Sequence, residues 1–169
     1  GLELSLTALP MDNLIVNFNV GYLDATLNKA TIFVRDNVCD QSTTECNHNF
    51  DGRTTPLSPK WTMSADAEYV HDLTPTHEGF ARLEWAYRDT VDRTLVEGLL
   101  HPDAFPWKVP AYDFFNLRVG VRHENYSITG YVENLFDSKH YQNAYVKAWA
   151  MGVALEPSYQ SYGVRLRYN

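Results

Sequence analysis

Seven stretches of this chain alternate apolar and polar residues with a period of two, and the segments joining them alternate between short and long. Period-two alternation sends successive side chains to opposite faces of an extended strand, so each stretch predicts a strand with one apolar and one polar face. The first sets Leu2, Leu4, Leu6 and Ala8 against Glu3, Ser5 and Thr7; the second sets Leu14, Val16, Phe18, Val20 and Tyr22 against Asn17, Asn19 and Gly21. In the third, Trp61, Met63, Ala65, Ala67 and Tyr69 oppose Thr62, Ser64, Asp66 and Glu68. In the fourth, Ala81, Leu83, Trp85 and Tyr87 oppose Arg82, Glu84 and Arg88. The fifth places Phe115, Leu117, Val119 and Val121 opposite Asn116, Arg118, Gly120 and Arg122. The sixth pairs Tyr126, Ile128 and Val132 with Ser127, Thr129, Tyr131 and Glu133 on the other face. The last sets Tyr162, Val164, Leu166 and Tyr168 against Gly163, Arg165 and Arg167.

Turns at Pro10 to Asn13, Leu73 to Gly79 and His123 to Asn125 alternate with long segments at Asn28 to Pro59, Asp89 to Ala111 and Asp137 to Pro157. An up-and-down meander with short connections at one end and long loops at the other is the layout of an outer-membrane barrel. The polar faces carry Glu3, Asp66, Glu68, Arg82, Glu84, Arg88, Arg118, Arg122, Glu133, Arg165 and Arg167. Charges of both signs need water or one another, because burying an unpaired charge costs several kcal/mol. A wet lumen meets that need, which leaves the apolar faces for lipid. Tyr22, Trp61, Trp85, Tyr87, Tyr69, Tyr126 and Tyr168 fall towards the strand ends, where amphipathic rings form interfacial girdles. A 14% aromatic content with a mean hydropathy of −0.36 fits a sheet between lipid and water. The expected fold is therefore all-β: seven meander strands of an antiparallel up-and-down transmembrane β-barrel.

A net charge of −7 offers no basic stripe for phosphates and argues against a nucleic-acid partner. The longest apolar run, Ala148 to Leu155, falls far short of the roughly 20 residues that span a bilayer as a helix. Cys39 and Cys46 are spaced to close a small disulfide loop in an oxidising compartment; the alternative is a pair of free thiols. The six histidines show no metal-ligand spacing, and His71, Asp72, His77 and Glu78, at a short turn, are expected to be solvated turn residues. No catalytic constellation and no cofactor are expected.

The last third resembles one family closely. Phe115 to Arg122, then Tyr126 to Asp137 ending in Asn134-Leu135-Phe136-Asp137 with Tyr141 shortly after, resembles the C-terminal end of TonB-dependent outer-membrane receptors. Tyr162 to Tyr168 resembles the family's closing strand, and Gly1 to Leu4, Gly21 to Ala25 and Pro59 to Trp61 look like family signatures. The resemblance covers nearly the whole chain, most sharply Ala111 to Asn169. Family members usually end on an aromatic, commonly Phe, read by the barrel-assembly machinery; here the apolar face stops at Tyr168, so a residue or more is expected beyond Asn169.

The resemblance implies that residues 1–169 are the C-terminal portion of a plugged barrel of the 22-stranded kind, without its plug domain. It implies a bacterial outer-membrane receptor for active uptake of a scarce nutrient such as a ferric siderophore. Its partners would be outer-membrane lipid, the remaining strands and plug, and the TonB complex acting through that plug. Substrate contacts are then expected on the long loops and outer lumen. The candidates are Trp107 and Tyr112 in the second loop, and Tyr141, Tyr145 and Trp149 in the third. Their rings suit a catecholate, corrin or sugar face, though loops packing on one another explain them equally well. Arg118, Arg122, Arg165 and Arg167 lie on neighbouring-type strands of the lumen wall, to pair with plug or wall carboxylates or to guide an anionic ligand.

Two rival readings differ in class. A self-contained small outer-membrane barrel with a structural or adhesive role needs an even number of strands, from about eight upward; Thr31 to Arg35 is where an eighth would lie. A soluble β-barrel ligand-binding protein would have to bury or pair all the charges of the polar face.

Overall fold

Backbone N–H and C=O groups on an extended chain must find partners on neighbouring strands, and here they find them strictly in sequence. The computed structural model describes residues 1–33, 47–93, 108–140, 143–147, 151–155 and 159–168, with only the backbone described for 143–147 and 151–155. The strands are β1 (Leu2–Met11), β2 (Leu14–Tyr22), β3 (Thr31–Phe33), β4 (Asn47–Asn49), β5 (Trp61–Thr74), β6 (His77–Arg88) and β7 (Val91–Asp92). They continue as β8 (Lys108–Val109), β9 (Tyr112–Arg122), β10 (Tyr126–Glu133), β11 (Asn143–Lys147), β12 (Met151–Leu155) and β13 (Ser161–Tyr168). Seven of them form one antiparallel sheet in the order β1-β2-β5-β6-β9-β10-β13, and the other six make three two-stranded hairpins within the long loops. Among the described residues the sheet is open, and β1 does not pair with β13.

Each expected strand is present, and several run further than the alternation alone marks. The first two turns tighten to Asp12-Asn13 and Pro75-Thr76. Asn13 takes a φ of 66°, which Asn tolerates better than most residues. Pro10, which cannot donate to a ladder, lies in the register shift between Ala8 and Met11. At the second turn the Thr74 hydroxyl accepts from the backbone N–H of His77 at 3.1 Å, with Pro75 at a favoured corner position. His71, Asp72, His77 and Glu78 are thus strand residues and not turn residues. His77 Nε2 meets the Tyr126 hydroxyl at 2.9 Å, and Glu78 pairs with Arg122. Thr31–Phe33 pairs with Asn47–Asn49 in the first long loop and is no eighth strand of the sheet. Cys39 and Cys46 lie outside the described residues.

The register carries the alternation intact across the sheet. Leu6 pairs with Phe18, Phe18 with Ala65, Ala65 with Trp85 and Trp85 with Phe115, all on the apolar face. That face is uncovered: Val119, with Ala81 and Gly130 as its neighbours on either side, is still 52% exposed. Among the described residues the buried apolar side chains are Phe50, Phe80, Val91 and Val109, and of these Phe80 alone belongs to the sheet. Val91 and Val109 pair across the β7–β8 hairpin, Phe50 lies in the first long loop, and the Leu57 N–H ties the two loops by donating to the Asp92 carbonyl at 2.7 Å. A sheet with its apolar residues outside and no core beneath is stable only if something apolar covers it. From Trp61 to Tyr69 the apolar face of β5 is roughly 27 Å long, or roughly 20 Å in height at a tilt of 35–45°, close to the apolar band of an outer-membrane barrel.

The opposite face is a ladder of ion pairs. Arg82 lies 3.3 Å from Asp66, 3.6 Å from Glu68 and 3.1 Å from Glu84. Arg118 also pairs with Glu84, and Arg122 bridges Glu68 at 2.6 Å and Glu78 at 3.0 Å. Asn17 extends the chain towards β1, donating to Asp66 at 3.0 Å. These groups are partly hydrated, so each pair contributes about 1 kcal/mol or less. Their consequence is to commit this face to water. Phe80 lies flat under the Arg122 guanidinium, which is 3.9 Å from the ring centroid, in space left open by its cross-strand partner Gly120.

A Cβ at Gly120 would run into the Ile128 carbonyl oxygen and the Phe80 ring. Gly120→Ala in the full-length protein is expected to cost about 1–3 kcal/mol, read as a lower midpoint for loss of the folded band when samples are heated before electrophoresis. Gly130→Ala, with space around its position, is expected to leave that midpoint almost unchanged.

Candidate functional site

At the long-loop end of β6 and β9 the alternation inverts. Tyr112 and Phe114 occupy the polar face in line with Asn116 and Arg118, while Asp113 stands on the apolar face and accepts from Trp85 Nε1 at 3.3 Å. Arg88 is the cross-strand partner of Tyr112, its guanidinium 5.1 Å from the ring centroid. The His140 imidazole stacks on Tyr112 at 3.9 Å with planes 13° apart, and lies 6.1 Å from the Phe114 ring. Four half-buried side chains from three parts of the sequence therefore form one aromatic and cationic platform at the mouth of the polar face.

The Asn134-Leu135-Phe136-Asp137 segment delivers His140 there. Asn134 and Asp137 both take left-handed φ values, 52° and 50°, so the chain leaves β10 in a tight turn. The buried Asn134 side chain holds that turn: Oδ1 accepts from the Ser138 N–H at 2.9 Å and Nδ2 donates to the Ser138 carbonyl at 3.1 Å. The Leu135 N–H donates to the Phe115 carbonyl at 2.7 Å, and Phe136 meets Phe115 edge to face. Gln160, just before β13, donates to the Leu135 carbonyl and the Asp137 carboxylate. The motif is thus the clamp that joins β9, β10 and β13 at their loop ends.

The sequence candidates fare unevenly. Tyr112 belongs to the platform, where loop packing against His140 already covers part of its ring. Trp107, Tyr141 and Trp149 lie outside the described residues, as does the side chain of Tyr145 in β11. Arg118 and Arg122 are held by wall carboxylates, and with Arg165 and Arg167 they line a groove of about 580 Å³. The two arginine pairs are not on adjacent strands, because β10 lies between β9 and β13. Arg88, Phe114 and His140 carried no sequence signal as site residues. His77 and His123, far apart in sequence, bring their rings within 4.8 Å at the short-turn end, tilted by 43°. Among the described residues no group of three or more His, Cys, Asp or Glu is placed to hold a metal ion.

A family model described as TonB dependent receptor-like, beta-barrel, matches residues 1–135. The chain belongs to that family. The match stops after Leu135, so the resemblance of 136–169 to the family's last strand rests on structure. The ferric yersiniabactin uptake receptor FyuA from Yersinia pestis is similar, with a TM-score of 0.71 and 17% identity over 98% of this chain and 22% of that one. The siderophore receptor PiuA from Acinetobacter baumannii gives a TM-score of 0.62 and 20% identity over 97% of this chain and 20% of its own. No curated protein matches by sequence. The chain spans about a fifth of the length of those receptors. The family is one of outer-membrane receptors and not of enzymes, and a full receptor of this kind carries a plug domain and engages TonB. In an outer-membrane barrel wall the polar face lines the lumen and the apolar face meets lipid.

Burial holds the His140 imidazole below the ordinary histidine range; the Ser138 backbone hydrogen bond opposes it in part, the Arg88 charge adds to it, and Asp113 opposes it least. A lowered value in the packed state means that acid protonates the undocked loop first. The packing is complete above the ordinary histidine pKa of about 6.5 and is lost as pH falls below it towards the lowered value. Amide exchange over residues 134–140 of the intact receptor is expected to accelerate at about pH 5 relative to pH 7.5. His140→Phe, which stacks without titrating, should remove that difference.

Proposed function

We propose that residues 1–169 are the C-terminal portion of an outer-membrane receptor barrel for TonB-dependent uptake of a ferric siderophore or a similar scarce chelate. The rest of the wall, of the 22-stranded kind, and a plug domain lie outside this chain in that reading. The observation that carries it is the platform of Arg88, Tyr112, Phe114 and His140. At the loop-side mouth of the polar face three rings and a guanidinium gather on one another. Such a surface suits a planar anionic chelate, because rings stack on aromatic ligand faces and Arg donates to anionic oxygens. The siderophore receptors FyuA and PiuA, similar in fold, support the substrate class. In this reading Trp107, Tyr141, Tyr145 and Trp149 are further substrate contacts. Arg118 and Arg122 act as wall struts below it.

The test is iron accumulation from labelled ferric siderophores in cells that carry or lack the full receptor. Uptake should require the receptor and should stop when TonB is removed. Tyr112→Ala should weaken binding by about tenfold, as expected for losing a stacked ring and its buried area, with the folded band unchanged. Iron accumulation indifferent to the receptor across catecholate, phenolate and hydroxamate chelates would contradict the reading.

A further inference from the structure

The lumen wall contains one local arrangement twice. Gly120-Val121-Arg122 on β9 and Gly163-Val164-Arg165 on β13 each face an aromatic residue directly across the preceding strand, Phe80 and Tyr131 respectively. In both, the ring lies over the glycine, where a Cβ would collide with it, and the arginine two residues on sits over the ring. The two copies differ in their carboxylates. Arg122 has Glu78 as its cross-strand partner and reaches Glu68 one strand further back. Arg165 has Thr129 opposite it, and the position corresponding to Glu68 falls at Asn116, one step past the Val132–Leu117 pair. Arg167 is opposite Ser127. Among the described residues neither Arg165 nor Arg167 makes an ion pair, whereas Arg82, Arg118 and Arg122 all do. The carboxylate that β10 does bring to β13, Glu133, accepts from the Ser161 hydroxyl at 3.2 Å and forms an ion pair with neither arginine.

Among the described residues the other edge of β13 has no partner, and its peptide groups need partners within the membrane. We infer that the segment pairing with this edge of β13 carries Asp or Glu at alternate positions, facing Arg165 and Arg167. The spacing fits: the two arginines are successive lumen positions about 7 Å apart along the strand, and so are alternate side chains of an extended neighbour. Cross-strand carboxylates there would complete the second copy as Glu78 and Glu68 complete the first. A small free anion would answer one guanidinium only and would leave the edge unpaired. The inference rests on the barrel wall and not on uptake, so a receptor that imports no siderophore would still test it.

The test uses the intact receptor in its own membrane, with a photo-crosslinking benzoylphenylalanine at Leu166, whose side chain points away from the arginines. The expected product is a link to an extended segment outside residues 1–169 with acidic residues at alternate positions. Replacing both arginines with glutamate should lower its yield by about tenfold or more, the loss expected when charge-assisted hydrogen bonds turn into like-charge contacts, and replacing both with lysine should largely preserve it. A linked segment without alternating acidic residues, an unchanged yield in the glutamate variant, or no link at all would overturn the inference.

Discussion

The charged ladder from Asp66 to Arg122 fixes what each face of this sheet can touch. Its members are connected through shared partners, Glu84 between Arg82 and Arg118 and Glu68 between Arg82 and Arg122. No single pair is strong, because water reaches them all. Collectively they cannot enter hydrocarbon, since removing so many charges from water would cost far more than their mutual attraction returns. Strand periodicity then does the rest. Once the even-numbered residues of β9 are committed to water, the odd-numbered Phe115, Leu117, Val119 and Val121 face the other way. With no helix and no second layer over them among the described residues, lipid is the medium that suits them.

The site follows from the same rule by breaking it. Tyr112 and Phe114 place rings on the watery face and Asp113 puts a carboxylate on the apolar one. The inversion lies at the loop end, beyond the central apolar band, where an exposed carboxylate is tolerated and can bond the Trp85 indole. The Asn134 turn fixes the next segment against this inversion and brings His140 onto Tyr112. The strict alternation of the strands thus gives way at the loop end, beyond the central apolar band.

The wall was legible from sequence because two-fold periodicity is a property of every strand taken alone. Leu2 to Tyr22 and Phe115 to Glu133 declare their faces without reference to anything else. Strand ends were less legible: whether Leu73 and His77 belong to turn or strand depends on hydrogen bonds from the Thr74 hydroxyl, which no period reports. The platform was half legible. Tyr112 stood out as a loop aromatic, but Arg88 and Phe114 read as ordinary strand residues. His140 could be placed only through the two left-handed residues of the Asn134 turn. The contrast between Arg122 and Arg165 was hidden for a similar reason, since it depends on which residues lie across the strand.

The central claim is that one face of β9 meets lipid and the other water. Nitroxide spin labels placed one at a time along Tyr112 to Arg122 of the full receptor in lipid vesicles test it directly. Oxygen concentrates in the bilayer and a charge-neutral nickel chelate in water. Labels at 115, 117, 119 and 121 should respond to oxygen, and those at 116, 118, 120 and 122 to nickel, in strict alternation. Equal access of the nickel chelate to both sets would contradict the account, because the apolar face would then be covered by water or protein instead of lipid.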